Sequence, residues 1–278
     1  AKTYRVPQSW AAEGTTFCSM AYHENNIFLL ERSTGLITMI NSKTSELVTT
    51  FEVRKDLQGN LLAISIDSKS KTVFVFSSKR LFVAYVNDLL LGYVSFNEIE
   101  LNDLLEEYHF TGALAIDSEK RYLYMSVGYG ESRNTVMRFA YDDVDNVSFI
   151  RLADRFEDSV IRSLHLLKGS LAIFTLKGHV LFVDTYTTNV LRAQNIWGAG
   201  LQDVVYDGLS KSFFYSNRIK NTIMSSLQLS NSVEYINTSE RICASASTYS
   251  PMCVSIADRC VYVFDNALGE MVKVFYEN

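Results

Sequence analysis

The chain has 278 residues, of which 47% are hydrophobic, 13% aromatic and 21% charged, with a net charge of −5. Such apolar and aromatic content excludes a disordered chain, and 13 Gly with 2 Pro exclude collagen-like and low-complexity classes. The longest apolar candidate, Leu89-Leu90-Leu91-Gly92-Tyr93-Val94, is far short of the ~18 residues of a membrane-spanning helix, and the negative charge argues against non-specific nucleic-acid binding.

Residues 1–16 precede the first repeating unit, and Thr3–Val6 reads equally as a strand pairing on a blade edge or as part of a loose arm. From residue 17 onward the chain reads as units of four strands, a to d. In the first unit, Cys18–Tyr22 turns at 23–26 into Ile27–Leu30, and Leu36–Ile40 and Glu46–Phe51 follow. The second and third units share one spacing. Leu62–Ile66 leads to Asp67 and then Val73-Phe74; Ala113–Ile116 leads to Asp117 and then Leu123-Tyr124. Ile161–Leu166 turns into Leu171–Phe174, and Val204–Tyr206 leads to Asp207 and then Phe213-Phe214. In the last unit Ile242–Ala246 turns into Met252–Ile256, with Cys260–Phe264 and Met271–Tyr276 behind it. The three aspartates stand six residues before an apolar–aromatic pair, where a carboxylate can accept backbone N–H bonds two residues on.

Equivalent positions fall at 28, 74, 124, 172, 214 and 253, steps of 46, 50, 48, 42 and 39. A period near 45 with several strands per unit is a propeller signature. The expected fold is therefore all-β: a single six-bladed β-propeller over 17–278, with four antiparallel strands per blade. Alternation of period two dominates, and only 101–109 reads as helical. The physical reason for a ring is burial. A four-stranded blade has two apolar faces and can hide neither alone, while closure leaves no end blade bare.

The pattern of alternating strand, Asp, five residues and an apolar–aromatic pair resembles the YWTD repeat, with tetrads Val73–Phe76, Leu123–Ser126 and Phe213–Ser216. The Trp-Thr-Asp part is missing throughout. The same plan is similar to NHL-type propellers and to the insect yellow/royal-jelly family, while WD40 is disfavoured because neither Trp10 nor Trp197 precedes an Asp. The resemblance implies an extracellular binding module and names no ligand.

No constellation for catalysis emerges. The four His show no two-His metal spacing, and there is no Gly-rich phosphate loop and no Gly-x-Ser-x-Gly elbow. Asp142, Asp143 and Asp145 with Asn146 form the densest oxygen-ligand cluster, but no Gly or distal Glu follows as in a calcium loop. Among the a-strand residues expected to line a channel (Ser19, Ser65, Ala115, Ser163, Asp203 and Ser245), Asp203 is the one carboxylate, too few hard ligands for a divalent cation. No metal and no cofactor is expected.

Two sequons, Asn146 and Asn237, are glycosylation candidates. Cys243 with Cys253, and Cys18 with Cys260, are disulfide candidates, with buried free thiols as the alternative. Charged turns supply binding candidates: acidic at Glu106 and Glu107, basic at Lys79 and Arg80 and at Arg218 and Lys220. The leading expectation is a non-enzymatic, secreted or extracellular module that recognises a protein or small ligand on its loop face or channel mouth. The alternatives are a metal-dependent hydrolase or lyase of the lactonase type and an intracellular scaffold.

Overall fold

A computed structural model describes residues 2–101, 106–152, 160–195, 201–217, 222–227, 233–235 and 249–276. An N-terminal strand, β1 (Lys2–Pro7), comes first. Then come β2 (Phe17–His23), β3 (Asn26–Glu31), β4 (Leu36–Asn41) and β5 (Leu47–Glu52), followed by β6 (Leu61–Asp67), β7 (Thr72–Ser77), β8 (Leu81–Tyr85) and β9 (Asn97–Ile99). The short helix α1 (Val86–Leu90) sits between β8 and β9. The middle of the chain supplies β10 (Tyr108–Asp117), β11 (Tyr122–Tyr129), β12 (Ser132–Ala140) and β13 (Asp143–Arg151), then β14 (Ile161–Leu167), β15 (Ser170–Thr175), β16 (His179–Asp184) and β17 (Val190–Asn195). Next are β18 (Leu201–Asp207), β19 (Ser212–Asn217), β20 (Thr222–Leu227) and β21 (Val233–Tyr235), and finally β22 (Met252–Ser255), β23 (Cys260–Asp265) and β24 (Glu270–Phe275).

The protein is all-β, a β-propeller of four-stranded antiparallel blades. Among the described residues, five blades are each made of four consecutive strands, and a further sheet has the order β1-β24-β23-β22. The expectation of six blades is therefore corrected: five blades are made of consecutive strands, and the remaining four-stranded sheet is composite. Residues 2–7 are not a loose arm. They pair antiparallel with β24 from Lys2↔Phe275 to Pro7↔Glu270.

The register explains the miscount. Phe28, Phe74, Tyr124, Ala172 and Phe214 sit opposite Ala21, Ser65, Ala115, His165 and Val205 of the preceding strands. In the composite sheet the equivalent pair is Cys253↔Tyr262. Cys253 thus lies on an a strand, one strand earlier than its spacing suggested. The segment expected to be that a strand, 242–246, lies outside the described residues.

The turns carry the same logic. Asp67 accepts from the backbone N–H groups of Lys69 and Ser70, Asp117 from those of Glu119 and Lys120, and Asp207 from those of Leu209 and Ser210. Each turn then ends on a basic residue in the left-handed region: Lys71 (φ 55°), Arg121 (φ 58°) and Lys211 (φ 54°). A side-chained residue is costly there, and the carboxylate bonds that close the turn offset that cost. A fourth copy is built on Ser255, whose Oγ accepts from Asp258 N at 3.2 Å and whose turn ends on Arg259 (φ 50°). Ser255 stands six residues before Val261-Tyr262, the spacing that the aspartates mark elsewhere.

The chain divides into two compact units, Ala1–Gly59 with Trp197–Asn278, and Asn60–Ile196. In the first, the composite sheet buries both faces. Cys260, Tyr262 and Phe264 pack with Phe17, Ile27 and Leu29 of the β2–β5 blade, while Val261 and Val263 pack with Val205 and Phe214 of the β18–β21 blade. Successive residues of one strand serve opposite cores because side chains alternate across a sheet. Polar ties reinforce the packing. Lys273 Nζ donates to Ser42 O at 2.8 Å, and the Asn266 amide bonds Phe17 and Tyr249 backbone atoms at 2.7–2.8 Å. Tyr276 OH donates to Asp207 Oδ2 at 2.9 Å.

In the second unit, Leu123, Met125 and Val127 of β11 join Phe74, Phe76 and Leu81 of the β6–β9 blade, and Tyr124 joins Leu164, Leu171 and Ile173 of the β14–β17 blade. The helical expectation for 101–109 is corrected here: Tyr108 and His109 open β10, and the short helix is α1 instead. Residues 102–105 lie outside the described residues.

Candidate functional site

In the second unit the start of β10 builds an exposed aromatic and basic face. The strand register shifts between Phe110 and Leu114, and Gly112 at φ +123° makes that break possible. Ser126 Oγ fills the break, accepting from Ala113 N at 2.9 Å and Thr111 Oγ1 at 2.7 Å. The first three residues of β10 then pair with the end of β11, Tyr108 opposite Tyr129. The neighbouring β7–β8 turn holds this strand end: Phe110 N donates to Ser78 O at 2.8 Å and Lys79 Nζ to Tyr108 O at 2.7 Å.

Tyr108 is the centre of the face. Its ring stacks on Phe149 of β13 at 4.8 Å and 23°, and lies 5.6 Å from that of Tyr129. Arg151 Nη2 donates to its hydroxyl at 3.3 Å. Tyr129 is 57% exposed and Phe149 37%. His109 lies over Gly128, where a Cβ would meet its ring at 2.6 Å. Burial, then the charges of Arg133 and Lys79, hold the His109 imidazole below its usual range; the exposed Arg133 follows Ser132, the register partner of Tyr129. The face presents rigid amphipathic rings with long cationic side chains beside them, the composition that dominates protein interface hot spots.

Of the residues anticipated from the sequence, Lys79 belongs to this face. Glu106 and Glu107 form the exposed turn leading into Tyr108, so the structure brings one acidic and one basic candidate patch to the same blade end. Arg80 serves its own blade: it grips Glu98 with bonds of 2.7 and 2.5 Å and lies 4.9 Å over the Phe82 ring. Arg218, Lys220, Asn237 and Cys243 lie outside the described residues. Asn146 is exposed on β13.

Both expected disulfides are corrected. Cys18, Cys253 and Cys260 are unpaired thiols. Cys253 faces Tyr262 across the sheet, and Cys260 pairs in register with Ser255 on one side and Phe275 on the other. They fill core space between blades, and burial raises all three thiols, that of Cys260 to about 12. Asp203, anticipated as a lone channel carboxylate, is occupied by the fold. Its Oδ1 accepts from Val204 N at 2.9 Å, and its Oδ2 from Met252 N at 3.0 Å and Tyr249 OH at 3.2 Å. Asp142 pairs with Arg121 at 2.7 Å. Among the described residues no three His, Cys, Asp or Glu side chains gather as metal ligands.

The sequence points to the connection from Leu101 to Phe110, which holds Tyr108 and His109, as a place for contacts and to Arg133 as a basic turn residue, but not to Tyr129, Phe149 and Arg151. One signal was present for Tyr129: it stands between two glycines, Gly128 and Gly130.

No protein-family model matches the chain, and no curated protein matches its sequence. Solved structures do match in fold. A chain of the COPII outer coat vertex on membranes aligns with TM-score 0.67 and 10% identity, over 95% of this chain and 70% of that one. A chain of a nidogen/laminin complex aligns with TM-score 0.61 and 13% identity, over 82% of this chain and 83% of that one. The Pan2 WD40 domain of Neurospora crassa aligns with TM-score 0.60 and 13% identity, over 99% of this chain and 94% of that domain. At such identities the likeness is one of fold: the chain is a β-propeller, and sequence relationship to any of these is not implied.

Proposed function

We propose that this chain is a protein-interaction module that recognises a protein partner through the blade end formed by Tyr108, Tyr129 and Phe149 with Lys79, Arg133 and Arg151. The observation that carries the reading is the stacked pair of half-buried Tyr108 and exposed Phe149, with the open Tyr129 ring and cations beside it. Aromatic rings lose little conformational freedom on binding, and arginine adds directional donors. Structural neighbours within a coat assembly and within a protein complex agree with a propeller used as a binding platform.

The test is site-specific photo-crosslinking in extract from the native source. A crosslinker replacing Phe149 should capture a discrete partner, and Arg133→Glu with Arg151→Glu should abolish capture. A crosslinker at Leu191, 60% exposed on a different blade, serves as the control. The same products from both positions would reject the site.

Compartment divides into two readings. The exposed Asn146 supports the secreted one, and three unpaired thiols, two of them buried, support an intracellular scaffold. Glycosidase treatment of native protein, read as a mobility shift, separates them.

A further inference from the structure

His109 stands beside Tyr108 at the start of β10, and the first three residues of that strand are a segment of their own. The pairs Tyr108↔Tyr129, His109↔Gly128 and Phe110↔Val127 hold the segment to β11, and the register shift before Leu114 sets it apart from the rest of β10. The His109 ring lies where a Gly128 side chain would be. A Cβ added there would stand 2.6 Å from its Cε1, 2.7 Å from its Nε2 and 2.8 Å from the Ser132 carbonyl oxygen. The imidazole thus closes the gap between its own strand and the β11–β12 turn, over a buried glycine.

Charged groups approach this strand end from each neighbouring element. The β7–β8 turn brings Lys79, whose Nζ donates to the Tyr108 carbonyl at 2.7 Å, and Arg80, which is occupied by Glu98. The β11–β12 turn brings the exposed Glu131 and Arg133, and the connection before β10 brings the exposed Glu106 and Glu107. From β13 comes Arg151, on the Tyr108 hydroxyl. Among the described residues none of the three free carboxylates, Glu106, Glu107 and Glu131, bonds the imidazole. Burial, then Arg133 and Lys79, oppose its protonation.

A neutral imidazole suits this place and an imidazolium does not. The cation gives up solvation against Gly128 and brings a positive charge to a strand end whose carbonyl already holds Lys79. In an opened strand end the imidazole takes up its proton at the ordinary value of about 6.5. Above that value both states are neutral, and opening does not depend on this group. Below it the opened state binds the proton more readily than the packed one, so acidification favours opening.

We propose that His109 is an acid-operated latch on the Tyr108 face: on taking up a proton it leaves its place over Gly128, residues 108–110 separate from β11, and the bound partner is released. The proposal rests on the reading of that face as an interaction site. Opening takes Tyr108 away from Tyr129, and the row of rings offered to the partner is lost. His109 acts here as a positioning residue.

The test compares the full chain with His109→Gln, which stays neutral at every pH used. Hydrogen exchange of the Phe110 amide, held by Ser78 O at 2.8 Å, is followed from about pH 8 to about pH 5. It is read as the ratio of wild type to variant, so that the intrinsic pH dependence of exchange cancels. The ratio should be constant on the neutral side and rise several-fold on the acid side, while the ratio for the Val86 amide, held by Lys71 O at 2.9 Å, stays flat. In wild type alone, the His109 Cε1 proton should titrate below about 6.5. A flat Phe110 ratio, or a His109 midpoint at or above the ordinary value, overturns the latch. Crosslinking from Phe149 should fall on acidification in wild type and persist in His109→Gln. Capture that ignores pH in wild type, or falls equally in both proteins, overturns the latch and leaves the face in place. No capture at any pH overturns the reading of the face, and the release with it.

Discussion

The two compact units build the same kind of blade and use their polar groups in opposite ways. In the unit that contains both chain termini, charged and polar side chains turn inward. Lys273 reaches the Ser42 carbonyl, Asp203 accepts from the start of β22, Asp207 receives the Tyr276 hydroxyl, and Arg5 on β1 pairs with Glu270 at 3.2 Å. In the unit of consecutive strands, the exposed ends carry the aromatic and basic face and, on the β8–β9 connection, the exposed Leu91 and Tyr93. The difference teaches where stability and recognition are separated. A sheet assembled from both ends of the chain needs specific long-range ties, since no local turn delivers β1 to β24. Blades made of neighbouring strands have their register set by turns, and their ends are released for contact.

Deleting residues 2–7 should break this contrast most severely. It removes six register pairs and the Arg5 contacts from β24, and we expect a loss of at least about 3 kcal/mol in urea unfolding. Deletion of the three-residue edge strand β9 serves as the comparison in the other unit and should cost less. If the two deletions cost the same, the composite sheet has no special place in the fold.

Gly128→Ala tests the other unit. The new Cβ would lie 2.6 Å from the His109 ring and 2.8 Å from the Ser132 carbonyl. The ring can move and the backbone oxygen cannot, so a cost of about 2 kcal/mol is expected, with Tyr108 displaced. Thermal unfolding reads the first effect. Tyrosine fluorescence reads the second.

Tyr276→Phe sharpens the role of buried polar ties and should cost about 1 kcal/mol at neutral pH. Burial raises the Asp207 carboxyl, but bonds from Ser210, the Leu209 amide and Tyr276 outweigh it, and the net direction is downward. A carboxyl depressed in the folded state gives stability that is complete above its unfolded value of about 3.9 and is lost as pH falls through the folded value. The difference between wild type and Asp207→Asn should therefore shrink on acidification from neutral to strongly acidic pH. A constant difference would show that Asp207 contributes by shape and not by charge.

Leu91→Asp should have the smallest effect on stability, under about 0.5 kcal/mol, because the side chain is 73% exposed. A larger loss in chemical denaturation would mean that Leu91 of the β8–β9 connection is folded into its own blade.

Much of the blade architecture was legible because it is written locally. Asp67, Asp117 and Asp207 sit at fixed offsets from their strands, since a turn carboxylate acts on amides two and three residues away. Ser255 does the same work with a hydroxyl, and the change of residue type hid the fourth copy and shifted the last unit by one strand. The helical reading of 101–109 failed because Tyr108 and His109 are held in a strand by Tyr129, Gly128 and the Ser78–Lys79 turn, partners that local periodicity does not reveal. The candidate face was legible in part: at Lys79 and Arg133 as basic turn residues, and along the connection from Leu101 to Phe110 with Glu106 and Glu107. Its rings come from three strands, β10, β11 and β13, and pattern along one strand cannot show that Tyr108 will stack on Phe149.

The amino-acid order by itself determined that this chain forms short antiparallel strands with two buried faces, because alternation and turn chemistry act over a few residues. Tertiary structure alone decided that residues 2–7 complete the sheet of residues 252–275, that the three described cysteines stay unpaired, Cys253 and Cys260 as core fillers, and that aromatic and basic side chains converge on one blade end. These outcomes depend on which distant strands meet, and that choice is made by the joint burial of whole faces.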